Sequence, residues 1–455
     1  MQADSSVAFA LRSTRRTPVP QSPSARDRAL VRATSQVYSS DMGLLHGKRI
    51  LLGLGGGIAA YKGPELVRRM QDAGADVRVV VTAAAARFVS KLSLEVVSGH
   101  PVGDDLWHTD ADHRIVHTDL AKDSDLVVLA PATADLIGKI RHGLADDLLT
   151  TTIMASRTPV LVCPAMNTEM LDNPLVQDNI AHLRAHARYT LLEPGVGLLA
   201  CGVVGPGRQP DPPEIIEAAA AVLAPKDLVG LRATVSAGPT HEPLDPVRYL
   251  GNRSSGTMGF AIARALAARG ADVTLVAGPV ALRTPVGVAR RVDVETAAQM
   301  LQALDSVWAD TDLVAMTAAV ADFRPAQRHG HKIKKRELGA EAPTLHLERT
   351  PDILFTLSRR PDRARVALLG FAAETQDLLE YAQHKLREKD LDWIVANDVS
   401  VAGVGFGPGD NAGVLVARDG SATAFARTSK EVFAERLVAA LAPALALRVR
   451  ASRHG

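Results

Sequence analysis

Apolar residues in this chain come in short unbroken runs, each followed by a glycine turn and a stretch of helical period. Residues 49–54 form such a run, Gly55-Gly56-Gly57 break it, and apolar positions then recur at helical spacing from Ile58 to about Gln71 before Gly74. Unbroken runs of this length suit strands buried on both faces, and their alternation with helices predicts parallel strand-helix-strand units. The pattern is written twice. Gly74-Ala75-Asp76-Val77 leads into Arg78-Val79-Val80-Val81, as Gly270-Ala271-Asp272-Val273 leads into Thr274-Leu275-Val276-Ala277. Asp125-Leu126-Val127 precedes Ala134-Asp135, and Asp312-Leu313-Val314 precedes Ala321-Asp322, at the same ten-residue offset. The expected fold class is α/β, with two Rossmann-like parallel-sheet domains in tandem and unlike loops, hence two sites.

Length and composition narrow this picture. At 455 residues the chain has room for two or three domains, each with a core of its own. A 47% apolar and 22% charged composition is that of a globular protein, and a net charge of +2 gives no reason to expect nucleic acid or a membrane as partner. No run of about 18 or more uncharged apolar residues predicts a membrane span. Two cysteines, Cys163 and Cys201, exclude a disulfide framework and fit a reducing, cytoplasmic location. Residues 1–46 stand apart, with six Arg, no Lys or Glu and no apolar period, and are expected to form a disordered extension. They read as a transit-like leader, a dispensable tail, or a start placed upstream of a true initiator at Met42. Domains are expected at 47–225 and 226–455, joined near Pro225 after a Pro-containing stretch and a short helix from 214 to 223.

In the first half, the turn at Gly55-Gly56-Gly57 opens a helix whose N-terminus can hold a phosphate. It is not a dinucleotide fingerprint: the last glycine of G-x-G-x-x-G is missing, and the second strand ends in Val81-Thr82 rather than a ribose-gripping acid. A mononucleotide, another phosphate, or a turn with no ligand remain. Pro131-Ala132-Thr133-Ala134-Asp135 follows a strand end where open α/β sheets bind ligands, and its small residues leave room for a flat ring. Asn167, after Cys163-Pro164-Ala165-Met166, reads as a carboxylate holder or a turn residue. Cys201, among Gly197, Gly202, Gly205 and Gly207, reads as a thiol on a mobile flap. Spacing alone does not select a base among His100, His108, His113, His117 and His142.

Taken together, Gly56-Gly57-Ile58-Ala59-Ala60-Tyr61-Lys62, Ala130 to Asp135, Pro164-Ala165-Met166-Asn167 and Ala200-Cys201-Gly202 resemble the flavin-dependent cysteine decarboxylases, in particular phosphopantothenoylcysteine decarboxylase. The resemblance implies a flavodoxin-like first domain and FMN held between subunits of a trimer, with Gly56, Gly57, Ile58, Thr82, Pro131, Ala132, Thr133 and Ala134 at the cofactor. It implies oxidation of the substrate's thiol-bearing carbon, loss of CO2 as an enethiolate forms, and return of the hydride. His117 is then the catalytic histidine, Asn167 holds the departing carboxylate and Cys201 protonates the enethiolate. Gly55, where relatives carry Ser, and Asp146, where they carry Asn, depart from that pattern.

The second half offers other chemistry. Residues 233–236 form a strand ending in a rigid turn from Ala237 to Pro243, and the Gly251-to-Gly256 loop opens a helix from about Met258 to Ala268. Neither a dinucleotide fingerprint nor a Walker A is present. His331-Lys332-Ile333-Lys334-Lys335-Arg336 is a solvated face or, following the strand-end carboxylate Asp322, part of a triphosphate site. Ala237-Gly238-Pro239-Thr240, Asp245-Pro246-Val247-Arg248, Asn252 to Gly256, Lys332 to Lys335, Gly370 to Thr375 and Ala396-Asn397-Asp398 resemble phosphopantothenate-cysteine ligase. That resemblance implies CTP, a divalent cation (Mg2+ or Mn2+) at Asp322, and an acyl-cytidylate opened by cysteine. It places Asn252 at the acyl-cytidylate and Lys332 at the activation step. The CTP residues are Ala318, Ala319, Asp322, Lys332, Thr350, Pro351, Asp352, Ile353, Phe371, Lys385 and Lys389. Thr350 stands where bacterial relatives carry Asn.

The expected whole is a bifunctional enzyme of coenzyme A biosynthesis acting on 4'-phosphopantothenate, cysteine and CTP. Decarboxylase trimers and ligase dimers would combine into a closed homo-oligomer such as a dodecamer. The competing reading, a flavin-binding regulatory protein without catalysis, is disfavoured by the intact His117, Asn167 and Cys201.

Overall fold

The computed structural model of the protein describes residues 43–107, 116–334, 344–374, 378–398 and 409–454. Most of the expected N-terminal extension lies outside them, but residues 43–46 belong to the first core: Leu45 is fully buried and its N–H donates to the Ala73 carbonyl. The extension therefore ends some residues before 46.

Every apolar run read from the first half becomes a strand. β1 (Arg49–Leu54), β2 (Asp76–Val81), β3 (Leu126–Ala132), β4 (Val160–Pro164) and β5 (Tyr189–Leu191) form a parallel sheet in the order β2-β1-β3-β4-β5, the flavodoxin-like order. All seven residues of β3 are buried, and β1 is buried after Arg49. Each leucine so buried contributes roughly 1.5–3 kcal/mol over exposure. Gly53 is required here, because a Cβ would stand 2.6 Å from Leu149 Cδ1 and 2.7 Å from Leu129 Cδ2. An antiparallel hairpin, β6 (Gly195–Leu198) with β7 (Val204–Arg208), carries the Cys201 segment expected to form the flap.

The second half repeats the order of this sheet and adds strands at both edges. β8 (Arg232–Ala237), the pair β9 (His241–Pro243) and β10 (Tyr249–Gly251), β11 (Asp272–Ala277), β12 (Arg290–Asp293), β13 (Leu313–Met316), the pair β14 (Phe323–Pro325) and β15 (Leu347–Arg349), β16 (Ala367–Glu374) and β17 (Trp393–Asp398) follow. The main sheet runs β12-β11-β8-β13-β16-β17, the doubly wound Rossmann order, and is extended antiparallel by β18 (Asn411–Ala417) and β19 (Ala422–Thr428).

The halves also share a clamp at the first strand. Asp125 accepts from the Arg49 N–H at 2.8 Å and from its guanidinium at 3.3 Å; Asp312 accepts from the Arg232 N–H at 2.9 Å and from its guanidinium at 2.9 Å. The repeated Asp-Leu-Val thus pins the central strands, and the Arg49 backbone N–H chiefly holds the Asp125 carboxyl below its usual range. Between the sheets, the helix Pro212–Leu223 buries Ile215, Ala218 and Ala219 in the first core and also packs on the helix Thr257–Ala268. Lys226 bridges the Ala221 and Ala268 carbonyls across the junction expected at Pro225.

Candidate active sites

Parallel sheets bind ligands outside the carboxyl ends of their strands, where the strand order reverses. Both sheets have a large cavity at that position. The first, about 1120 Å³, is walled by the loops after β1, β2, β3 and β4 and by the β6–β7 hairpin. Its base is tightly packed: a Cβ on Gly56 would overlap the Ala84 methyl, and one on Gly57 would stand 3.2 Å from Thr133 Cγ2. The glycine loop can approach only as bare backbone. Thr133 caps the helix Ala134–His142 by accepting from the Leu136 N–H at 3.3 Å, which turns that helix N-terminus toward the cavity wall. Ala83, Ala84, Ala134 and Ala165 keep the wall shallow, and Ile58, Leu136, Met166, Met170, Leu198 and Leu199 make it apolar.

At one end of this cavity Asn167 Nδ2 donates to Cys201 Sγ at 3.1 Å. Asn167 Oδ1 already accepts from the Glu169 N–H at 2.7 Å, so its NH2 is the group turned to the flap. Cys201 is exposed on the hairpin turn, whereas Cys163 is fully buried in β4 and burial pushes its thiol pKa up. The flap is fastened at its base: the Met166 N–H donates to the Gly207 carbonyl at 3.0 Å, and Thr168 Oγ1 donates to the Pro206 carbonyl at 2.7 Å. Asp211 joins Arg208, at 2.8 Å, to Lys62, at 3.9 Å, and both cations line the cavity. Asp146 pairs with Lys139 at 3.0 Å; that hydrogen bond raises the lysine pKa and lowers that of the carboxyl.

The second cavity, about 600 Å³, is more polar and is stitched at its floor. Ser236 Oγ accepts from the Thr317 and Ala318 N–H groups at 3.2 Å each, Ala319 N–H donates to Gly238 O at 2.9 Å, and Ala321 N–H donates to Thr240 Oγ1 at 3.0 Å. Asn252 reaches over this floor and donates to the Val320 carbonyl at 2.8 Å. Gly259 brings the helix Thr257–Ala268 against β8, since a Cβ would stand 2.5 Å from the Ala237 methyl. On the far wall, Lys389 pairs with Asp352 at 2.8 Å and lies one turn from Lys385. The lining holds Arg349, Lys385, Lys389 and Lys430 against Asp322 and Asp352, four cations minus two carboxylates, or +2. The first cavity holds Lys62, Lys139 and Arg208 against Asp104, Asp135, Asp146 and Asp147, three minus four, or −1.

Most residues singled out from the sequence meet in these cavities. Gly56, Gly57, Ile58, Thr82, Thr133, Ala134, Asn167 and Cys201 line the first. Asn252, Ala318, Ala319, Asp322, Thr350, Pro351, Asp352, Ile353, Phe371, Lys385 and Lys389 line the second. Four do not. Pro131 and Ala132 are buried beneath the first cavity, where Pro131 O accepts from the Gly55 N–H at 2.9 Å and Ala132 O from the Ala165 N–H at 3.0 Å, so they support the wall. His117 is half-buried on the helix Val116–Lys122, away from this chain's cavity lining. Lys332 is exposed and outside the second lining. Asp322 has no cage around it: among the described residues, no group of three His, Cys, Asp or Glu side chains is placed to hold a metal.

Sequence reasoning missed Lys430, Asn397 and Asn411 as lining residues. Asn411 is 2% exposed and donates to Asn397 Oδ1 at 3.4 Å, and Lys430 is 6% exposed, with burial lowering its pKa. Asn411 lies on β18 of the antiparallel extension, Lys430 starts the helix that follows β19, and Asn397 lies on β17, where the sequence marked it only as part of a motif. At Gly55 a Cβ would stand 2.7 Å from the Pro131 carbonyl oxygen, so this backbone leaves no room for the serine that the resemblance led one to expect.

Comparison with known proteins matches both halves. A family model described as Flavoprotein matches residues 39–224, and one described as DNA/pantothenate metabolism flavoprotein C-terminal domain matches residues 228–444. The Coenzyme A biosynthesis bifunctional protein CoaBC of Vibrio cholerae is 47% identical over 394 residues, covering 87% of this chain and 98% of that protein. The protein of the same name from Escherichia coli is 48% identical over 377 residues, covering 83% and 92%, and that from Mycolicibacterium smegmatis 44% over 410 residues, covering 87% and 97%. Among solved structures, the C-terminal domain of a CoaBC protein is 39% identical, with a TM-score of 0.41, covering 48% of this chain and 98% of that chain.

Proposed function

The chain belongs to the family of coenzyme A biosynthesis bifunctional proteins, and from that premise we infer how its two cavities divide the family's two reactions. The enzyme couples 4'-phosphopantothenate to cysteine and decarboxylates the phosphopantothenoylcysteine so formed to 4'-phosphopantetheine. The observation that carries the division is the contrast between the cavities: one wide, apolar and net −1, the other smaller, polar and net +2. A triphosphate needs cations around it, because charge builds on the departing pyrophosphate. A flat flavin ring needs shallow apolar walls and a polar end for its phosphate.

In the first cavity, Gly56, Gly57, Ile58, Thr82, Thr133 and Ala134 would hold FMN, and the bare glycine backbone beside Ala84 fits that group. FMN supplies reversible oxidation of the thiol-bearing carbon of the substrate. The chain's own residues do the rest. The Asn167 NH2 holds the substrate carboxylate until it leaves as CO2, and the Cys201 thiol, 3.1 Å from it, gives a proton to the enethiolate carbon. The apolar flap excludes water from that step. Ile58, Tyr61 and Leu198 are 55%, 60% and 69% exposed at the rim, which supports closure of the site by a second copy, with His117 supplied across a trimer interface.

In the second cavity, CTP lies with its triphosphate near Ser254, Ser255 and Gly256 at the helix N-terminus and near Lys385 and Lys389. Asp322 would hold a Mg2+ or Mn2+ brought with the nucleotide, and that ion would offset the charge that builds on the phosphates. The pantothenate carboxylate oxygen attacks the α-phosphorus and pyrophosphate leaves; the cysteine nitrogen then attacks the acyl carbon and CMP leaves. Asn252 orients the acyl-cytidylate and Lys332 offsets charge as it forms. Ligase dimers and decarboxylase trimers together generate a closed assembly such as a dodecamer. The enzyme acts in the cytoplasm; among the described residues no helix is long and apolar enough to cross a membrane.

Purified protein given 4'-phosphopantothenate, cysteine, CTP and Mg2+ should be yellow and release pyrophosphate and CO2 in equal amounts. A colourless preparation that takes up no added FMN and yields pyrophosphate alone would overturn the decarboxylase assignment.

A further inference from the structure

Away from both cavity linings, a fully buried carboxylate organises the start of the basic run. Asp245 accepts from the Val247 and Arg248 N–H groups at 2.8 Å each, from Arg248 Nε at 2.9 Å and from the Ile333 N–H at 3.2 Å; its side chain is 0% exposed. Arg248 in turn donates to the Ile333 carbonyl at 2.9 Å, and the His329 N–H donates to the Leu244 carbonyl at 2.9 Å. The segment from His329 to Ile333 is therefore sewn onto the Asp245–Arg248 turn, more than 80 residues earlier in the chain. Both polar groups of Ile333, the residue after Lys332, are held by this one ion pair. Burial by itself would push the Asp245 carboxyl up, but Arg248 and the three backbone donors outweigh it and hold the group far below the usual carboxylate range.

An asparagine could satisfy the turn N–H groups, as Asp and Asn both do in such turns. The turn alone does not require a buried charge. What requires it is the guanidinium, and the guanidinium is what grips the Ile333 carbonyl. We propose that the Asp245–Arg248 pair is a positioning device for the ligase reaction, fixing the Ile333 peptide so that Lys332 is presented from a defined backbone. This rests on the reading of Lys332 as the group that stabilises activation. A lysine is a compact charge on a long flexible stem, and it serves a reaction only if its origin is fixed.

The test uses the full-length protein with FMN bound and four forms: wild type, Asp245→Asn, Lys332→Gln and the double variant. Pyrophosphate release with CTP, Mg2+ and 4'-phosphopantothenate reports activation, decarboxylation of added phosphopantothenoylcysteine reports the other half, and tryptic cleavage after Lys332 and Lys334 reports the clamp. Asp245→Asn should lower kcat for activation about ten-fold with the KM for CTP within about two-fold, leave decarboxylation unchanged and speed cleavage. The double variant should be no slower than Lys332→Gln alone, the coupling expected of groups acting as one unit. Additive losses, or unchanged cleavage in Asp245→Asn, would overturn the proposal while leaving Lys332 in its role. A fully active Lys332→Gln would overturn the reading of Lys332 and the proposal with it. Should Asp245→Asn fail to fold, Arg248→Lys keeps the charge but cannot grip both partners, and the same non-additivity with Lys332→Gln is required of it.

Discussion

Replacing Gly207 with alanine attacks the point where the Cys201 hairpin is fastened. Gly207 has φ +123°, which L residues rarely adopt, and a Cβ there would overlap the Met166 carbonyl oxygen. Backbone strain of about 1–3 kcal/mol is expected from the conformation. Overpacking against a carbonyl that cannot rotate away adds about 1–3 kcal/mol more. The cheapest relief lifts β7 off the 166–168 segment, which breaks the 3.0 Å bond from Met166 N–H to Gly207 O and carries Cys201 away from Asn167. If about 3 kcal/mol is relieved this way, the population with the thiol in place falls roughly a hundred-fold. The assay is decarboxylation of added phosphopantothenoylcysteine, with pyrophosphate release from the other half measured in the same preparation. The variant should lose about two orders of magnitude in the first and nothing in the second. A decarboxylation rate within about two-fold of wild type, in a protein of unchanged melting temperature, would refute the claim that this fastening sets the position of Cys201.

Other outcomes follow from the same geometry. Iodoacetamide should label Cys201 in the native protein and Cys163 only after unfolding, since Cys163 is fully buried and its thiol pKa is raised; native labelling of Cys163, read by peptide mass, would contradict this. Gly55→Ser should reduce FMN retention on desalting, because its Cβ meets the Pro131 oxygen at 2.7 Å; undiminished absorbance near the flavin band would count against the packed loop. Lys430→Met should raise the KM for CTP about ten-fold and spare decarboxylation, as removal of one cavity cation predicts. For pH, the Asp245 carboxyl is lowered in the folded state, so its contribution is complete above the ordinary Asp range, about pH 4, and is lost as pH falls toward its folded value. The melting-temperature gap between wild type and Asp245→Asn should stay level from about pH 8 to 5 and shrink below about pH 4; shrinkage already between 7 and 5 would show that another group is responsible.

The sequence made the strands legible because parallel strands buried on both faces leave unbroken apolar runs, and it made the loops at their ends legible because glycine and small residues cluster there. Asn167 and Cys201, brought together in the sequence only by the family resemblance, stand 34 residues apart in the chain and lie 3.1 Å apart. Strand order was less accessible. The central order is common to the two halves, β2-β1-β3-β4-β5 and β11-β8-β13-β16-β17, but the strands added at the edges, β12 on one side and β18 with β19 on the other, depend on contacts between distant segments that no local pattern states. Lys430 and Asn411 were invisible for the same reason, since an antiparallel extension folds back to deliver them. His117 and Lys332 were chosen on motif, and a motif does not state which cavity, or which copy, a side chain faces. From the sequence Gly55 was only a departure from an expected serine, whereas a Cβ there would stand 2.7 Å from the Pro131 carbonyl oxygen.

The central claim is that one chain holds two independent sites whose reactions run in series. It is tested most directly by Cys201→Ser in the complete reaction with 4'-phosphopantothenate, cysteine, CTP and Mg2+, following pyrophosphate and 4'-phosphopantetheine together. Pyrophosphate should appear at the wild-type rate while phosphopantetheine fails to form and phosphopantothenoylcysteine accumulates. Wild-type yield of phosphopantetheine, or loss of pyrophosphate release along with it, would contradict the account.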